Sequence, residues 1–154
     1  MLVSQKCRYA LRAVFELALR YGKGPVKVSE IAEAQAIPPK FLEVILNQLK
    51  QGGFVESRRG NVGGYLLSRQ PGKLTVGEVI YFMQGPVNMV DCLEGSSQER
   101  CPLWGKCVFL PMWQKAQEAI SGVYDNTTFE ELVDQFQVLT ERQSQQEQVP
   151  CYTI

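Results

Sequence analysis

Apolar residues first recur along this chain at helical spacing, then at the spacing of a short hairpin, then helically again. Tyr9, Ala10, Ala13, Val14, Leu17, Ala18 and Tyr21 fall on one face. They predict a helix capped by Ser4 that runs to about Arg20. Tyr21-Gly22-Lys23-Gly24-Pro25 stops it. Ser29 is the expected N-cap of a short helix over 30–35, and Ala36-Ile37-Pro38 makes a turn. Pro39 suits the first turn of a further helix, where a missing N–H costs nothing. Phe41, Leu42, Ile45, Leu46 and Leu49 supply that helix with a buried stripe, and Lys40, Glu43, Val44, Asn47 and Lys50 stay outside. Gly52-Gly53 ends it. Two helices across a tight turn, the second polar on its outer face, form the helix-turn-helix pattern.

The stretch FVESRRGNVGGYLLSR then reads as a hairpin, with strands over 54–58 and 65–67 and a glycine-rich tip between them. A basic hairpin directly after a helix-turn-helix is a wing. Arg58 and Arg59 beside narrow glycines are able to enter a minor groove, where bulk is limiting and the potential is negative. Thr75-Val76-Gly77-Glu78 is a capping box that opens a helix burying Val76, Val79, Ile80 and Met83, closed by Gly85-Pro86. Pro111 suits the first turn of a longer helix. On it Met112, Ala116, Ala119, Ile120 and Val123 form a stripe with small alanines. That stripe is expected to meet a second copy of the chain, because reading a palindrome takes two helix-turn-helix units. Thr128-Phe129-Glu130-Glu131 is a second capping box, before a helix ending near Leu139. The expected fold is mainly α with a small β-hairpin wing. It divides into a winged helix-turn-helix DNA-binding domain (1–73), a cysteine loop with dimerisation helices (74–140) and a mobile polar tail (141–154).

Charge sharpens this picture. The 154 residues carry no net charge, yet residues 1–73 hold twelve Lys/Arg against five Asp/Glu, a net of +7, and the remainder has a net of −7. Such asymmetry points to a polyanion as the partner of the basic half. No stretch is apolar enough for a membrane span. Lys6, Arg8, Arg12 and Glu16 interrupt any signal-peptide core. The expected location is cytoplasmic. The chain contains no histidine, nucleophile elbow, phosphate loop or carboxylate pair, so an enzyme is not expected.

Candidate chemistry lies in DCLEGSSQERCPLWGKC. It holds Cys92, Cys101 and Cys107, three of five cysteines, spaced C-x8-C-x5-C. An odd total excludes a full disulfide framework in a monomer, and clustered thiols in a reducing compartment read first as metal-binding or redox-active. The spacing does not fit zinc pairs. Three readings stay open: an iron–sulfur cluster, a thiol redox switch through sulfenate, persulfide or disulfide chemistry, and a structural role, as thiols packed with Pro102, Leu103 and Trp104 or as zinc ligands. A cytosolic interaction or redox-carrier protein is a further alternative for the whole chain.

SQKCRYALRAVFELAL, LEVILNQLKQGGFVESRRGNVGGYLL, LTVGEVI and the cysteine loop before a long helix together resemble the Rrf-two family of bacterial winged-helix regulators, over roughly 1–140. Its members include regulators of iron–sulfur cluster assembly, nitric-oxide-sensing repressors and cysteine-metabolism repressors. The resemblance implies a homodimer on palindromic double-stranded promoter DNA. It also implies a [2Fe-2S] or [4Fe-4S] cluster on Cys92, Cys101 and Cys107 that sets affinity. It places Arg59 and Gly60 at the minor groove and Pro38, Lys40, Glu43 and Val44 at the major groove. With Ser4, Lys6, Arg8, Asn47 and Arg58 these make up the expected DNA-contacting set. The sequence departs from the family at the fourth cluster ligand. The positions that relatives use hold Leu110 and Arg8, neither of which ligates. Cys7 is the leading candidate residue here, with Asp91, Glu94 and Cys151 behind it; an exogenous thiol, water or no fourth ligand are the remaining alternatives.

Overall fold

The computed structural model describes residues 3–93 and 101–147. Six α-helices and one antiparallel hairpin follow in the order α1 (Gln5–Leu19), α2 (Val28–Gln35), α3 (Pro39–Gln51), β1 (Val55–Arg58), β2 (Gly64–Leu67), α4 (Val76–Gln84), α5 (Leu110–Asn126) and α6 (Phe129–Glu147). This is the winged helix-turn-helix with long following helices that the pattern predicts.

Helix α1 is the hub. Its start is fixed by Ser4, whose Oγ accepts the Cys7 N–H at 3.2 Å. Its inner face is short-chained, with Ala10 and Ala13 fully buried, so neighbouring helices approach closely. It packs against α2, α3, α4, α6 and β2. The core around it joins Val14 and Leu17 to Ile31, Leu42, Leu46, Leu49, Val55, Leu67, Val79 and Phe129. One charge is enclosed with them. Glu16 is 5% exposed, and its carboxylate accepts from Arg20 Nε at 2.7 Å and from Gln35 Nε2 at 2.8 Å. Those partners satisfy a group that would otherwise be costly to bury, and they tie α1 to α2.

Three local expectations shift. The cap of α2 is Lys27, not Ser29, and Ser29 lies inside the helix. Lys27 has no side-chain acceptor. The end is held instead by Glu30 Oε2, which accepts the Lys27 N–H at 2.8 Å. Val76 and Met83 are half-buried, while Val79 and Ile80 are closed off. Helix α6 does not end near Leu139 but continues to Glu147. Nothing in TERQSQQE breaks a helix, and Glu, Arg and Gln are good helix formers. Thr140 and Ser144 are accommodated within the helix, their hydroxyls donating to the carbonyls of Phe136 and Thr140.

The two helices after α4 sit differently. The start of α6 is pinned, since Phe129 N donates to the Leu74 carbonyl at 3.0 Å and Val76 N to the Thr127 carbonyl at 2.9 Å. Phe129 is fully buried. Phe136 meets Phe15 edge-on at 5.6 Å, laying α6 over α1. Helix α5 packs on α4 and has no buried residue of its own. The two cross closely at Gly77, where a Cβ would stand 3.2 Å from the Tyr124 backbone. Burial raises the pKa of Tyr81 on α4, whose hydroxyl is in hydrogen-bond contact with Ser121 and Asp125 of α5.

Candidate nucleic-acid interface and cysteine segment

The turn before α3 closes through Ala36, which takes a left-handed conformation at φ 47°. Its N–H and that of Ile37 donate back to the end of α2. Pro39 stands in the first turn of α3. Leu42, Ile45, Leu46 and Leu49 seat the helix on α1. Lys40, Glu43, Val44 and Asn47 stay exposed, as expected. Phe41 does not join the buried stripe; it is 65% exposed. At 100° per residue it lies about a quarter-turn from the centre of the buried arc, so its ring emerges beside α1. Together with Pro38, Val44, Ile45, Lys6 and Tyr9 it lines a groove of about 550 Å³ between α1 and α3. Gln5 Nε2 donates to the Tyr9 hydroxyl at 2.9 Å, and the Arg12 guanidinium lies 5.9 Å from the Tyr9 ring centre.

The hairpin pairs Val55 with Leu67, Glu56 with Leu66, Ser57 with Tyr65 and Arg58 with Gly64. It is held to the body by mutual 2.8 Å backbone bonds between Val26 and Tyr65. Gly64 is required there, because a Cβ would run into the Val26 backbone. At the tip, Gly60 has φ 113° and its carbonyl accepts the Gly63 N–H at 2.9 Å. A side chain at that φ is strained. Arg58, Arg59 and Gly60 are all exposed. The wing leans on α3 through Lys50, which donates to Ser57 Oγ at 2.6 Å, and through Tyr65, whose hydroxyl donates to Asn47 at 3.5 Å. Lys6, Arg8, Lys40, Arg58 and Arg59 are exposed, and among the described residues none stands in an ion pair. The expected DNA-contacting residues thus sit on α3, the wing and the start of α1, with the cations free. Ser4 is committed as a cap, and its N–H donates to Gln84 Oε1 at 3.1 Å. Phe41 and Tyr9, which are not in the expected set, line the groove beside it.

The cysteine segment begins after α4. Cys92 lies in a short 3-10 turn, Asp91–Leu93. Cys101 and Cys107 stand in turns ahead of α5, and the Cys107 carbonyl accepts the N–H of Leu110, the first residue of that helix, at 3.3 Å. All three thiols are free and half-buried. They are not core residues packed by their neighbours, because Pro102, Leu103 and Trp104 are themselves exposed. Among the described residues no three of His, Cys, Asp and Glu stand close enough together to hold a metal ion. Residues 94–100, which link Cys92 to Cys101, lie outside the described set, as do Glu94 and Cys151. Cys7 is fully buried on α1 and burial pushes its thiol pKa up. In a single chain its side chain faces the core side of α1. Met112 and Val123 of the expected dimer stripe are 48% and 63% exposed. Ala119 is exposed, and Ala116 and Ile120 are half-buried. Among the described residues no helix is long and apolar enough to cross a membrane.

A recognition helix, a basic wing and an array of unpaired cations define a DNA-binding transcriptional regulator. The profile of the Rrf2 family, described as an iron-dependent transcriptional regulator, matches residues 3–135, and the chain belongs to that family. It is 33% identical over 132 residues to the HTH-type transcriptional regulator CymR of Bacillus subtilis, covering 86% of this chain and 89% of that one. It is 35% identical over 139 residues to the HTH-type transcriptional regulator IscR of Klebsiella pneumoniae, covering 90% and 83%. These relatives are regulators rather than enzymes. Among solved structures, CymR, the global cysteine regulator of B. subtilis, superposes with TM-score 0.72 at 31% identity, covering 87% of this chain and 97% of that one. IscR of T. potens superposes at 0.70 and 30%, covering 88% of each. An oxidized form of Staphylococcus aureus CymR superposes at 0.65 and 28%, covering 86% and 96%.

Proposed function

We propose that the protein acts in the cytoplasm as a homodimer on palindromic promoter DNA, and that the state of its cysteine segment sets promoter affinity. In this reading Cys92, Cys101 and Cys107 hold an iron–sulfur cluster. The donor set suits that group in kind, because soft thiols are its usual ligands and the sequence offers no histidine. The described arrangement does not gather the three thiols, so loading must draw the segment together. When bound, the cluster would supply a centre responsive to oxidation, nitric oxide or iron supply. Of the candidate fourth ligands within the described residues, Asp91 is exposed beside Cys92 and Cys7 is enclosed.

The observation that carries the proposal is the coupling of this segment to both ends of the DNA-binding unit. Downstream, the Cys107 carbonyl takes part in the first turn of α5, a helix with no fully buried residue in a single chain. Its exposed apolar residues suit a second copy, and two recognition helices must stand about 34 Å apart to read two half-sites. A change at Cys107 would therefore tilt α5 and alter that distance. Upstream, Gln84 ends α4 and accepts the Ser4 N–H. That bond links the start of the cysteine segment to the α1 terminus bearing Lys6 and Arg8. A bound group shifts such an equilibrium only by its differential affinity for the two arrangements.

Anaerobic purification with iron and acid-labile sulfide quantitation tests the cluster. Bound iron and sulfide, lost in Cys92→Ser, Cys101→Ser and Cys107→Ser, are expected. A colourless protein without either supports a second reading instead, a thiol switch on the same three residues. That reading is favoured by their free, half-buried thiols and by a relative solved in an oxidized form.

A further inference from the structure

Helix α3 presents an unusual face for reading bases. Pro38 and Pro39 remove two backbone donors from its start. Phe41 and Val44, one turn apart, are 65% and 56% exposed. They form the apolar floor of the groove that Tyr9 and Lys6 border from α1. Contiguous exposed apolar side chains lining a groove suit an interaction surface. The flanking groups decide the partner. Lys6, Arg8 and Lys40 are exposed cations without ion pairs among the described residues, which favours a polyanion. In a major groove the apolar feature of the base edges is the thymine 5-methyl group.

We infer that Phe41 and Val44 recognise thymine through its 5-methyl group, so that each half-site carries thymine opposite this pair, while Lys6, Arg8 and Lys40 fix the register on phosphates. The inference rests on the DNA-binding reading and adds a sequence requirement to it. Discrimination here comes from shape and burial, so the expected effect is that of one enclosed methyl group, about fourfold in affinity for each thymine contacted.

The full-length protein is used to select duplexes from a random-sequence library, and each thymine of the enriched duplex is then replaced by deoxyuracil, which removes only the methyl group. At one or two positions per half-site the exchange is expected to weaken wild-type binding about fourfold. In Phe41→Ala or Val44→Ala the thymine and deoxyuracil duplexes should bind alike at one of those positions. Both side chains are exposed, so the variants are expected to keep the wild-type circular dichroism spectrum. Val44→Thr keeps the shape and should lower discrimination without changing the fold. Equal binding of all thymine and deoxyuracil duplexes overturns the methyl reading and leaves DNA binding intact. So does a penalty that persists in full in both alanine variants. If no duplex is enriched and binding shows no salt dependence, the DNA-binding reading falls and this inference with it.

Discussion

Replacing Arg59 by alanine probes the wing directly. The chain exposes Lys6, Arg8, Lys40, Arg58 and Arg59 without ion-pair partners among the described residues. Among the described residues no ion pair has to break before these cations meet phosphate. Each phosphate neutralised contributes about 0.9 to the slope of log affinity against log salt. Engagement of the whole set by a dimer gives a slope of about −9, or a loss of about five orders of magnitude between roughly 50 and 200 mM salt. Arg59→Ala withdraws one cation from each wing and should flatten the slope by about 1.8. The assay is fluorescence anisotropy on a labelled duplex of about three helical turns, titrated across that salt range. It needs no knowledge of the operator, because the phosphate contribution is independent of sequence. Arg142→Ala, on the exposed face of α6, is the control and should leave the slope unchanged. An unchanged slope in Arg59→Ala, or equal flattening by both variants, would refute the placement of the wing on DNA.

Three more outcomes follow from particular contacts. Arg20→Met leaves the buried Glu16 carboxylate short of its charged partner. The cost in urea denaturation should be about 2 kcal/mol, below the range for fully enclosed pairs because the Arg20 side chain is 34% exposed. Adding Glu16→Leu should recover part of it, and a further loss would contradict the account. Glu78 has its pKa lowered: burial pushes it up, but the Thr75 backbone N–H and Arg69 outweigh this. Its stabilising contribution is therefore complete above the ordinary carboxyl range, about 4.3, and is lost as pH falls through the lower folded value. Melting temperatures across that acid range should fall less steeply in Glu78→Gln than in wild type, and parallel curves would count against the contribution. Val123→Glu places a charge on the 63% exposed apolar edge of α5. Light scattering coupled to gel filtration should then report a monomer with unchanged helicity, whereas an intact dimer would move the interface elsewhere.

Much of the fold was legible because local chemistry and core pattern agree in it. Ser4, Pro39, Thr75 and Thr128 each stand where a helix must begin, and both capping boxes form as spaced. Phe41 was misread because a stripe with i and i+4 repeats does not reveal where the buried arc ends. Its ring falls at the arc's edge, and only the position of α1 decides that it stays open. The length of α6 was hidden because apolar periodicity stops before the helix does. Residues 140–144 are exposed, so backbone propensity rather than burial accounts for this part of the helix. Cys7 reads in sequence as a candidate fourth ligand, and the periodicity of α1 places it on the buried face of that helix. The cysteine spacing marks the segment, and residues 94–100, which join Cys92 to Cys101, lie outside the described residues.

The central claim is that Cys92, Cys101 and Cys107 govern promoter affinity through α5 and α4. It is tested most directly by measuring affinity for the selected duplex on one anaerobic preparation before and after removal of its iron and sulfide. Cys107→Ser is carried alongside at the same protein concentration. The account predicts that wild-type affinity changes by at least about fivefold, the lower end of ordinary coupling between sites. It also predicts that the variant stays fixed at the value of the stripped protein. Equal wild-type affinities before and after stripping, with iron and sulfide demonstrably bound at the start, would contradict it.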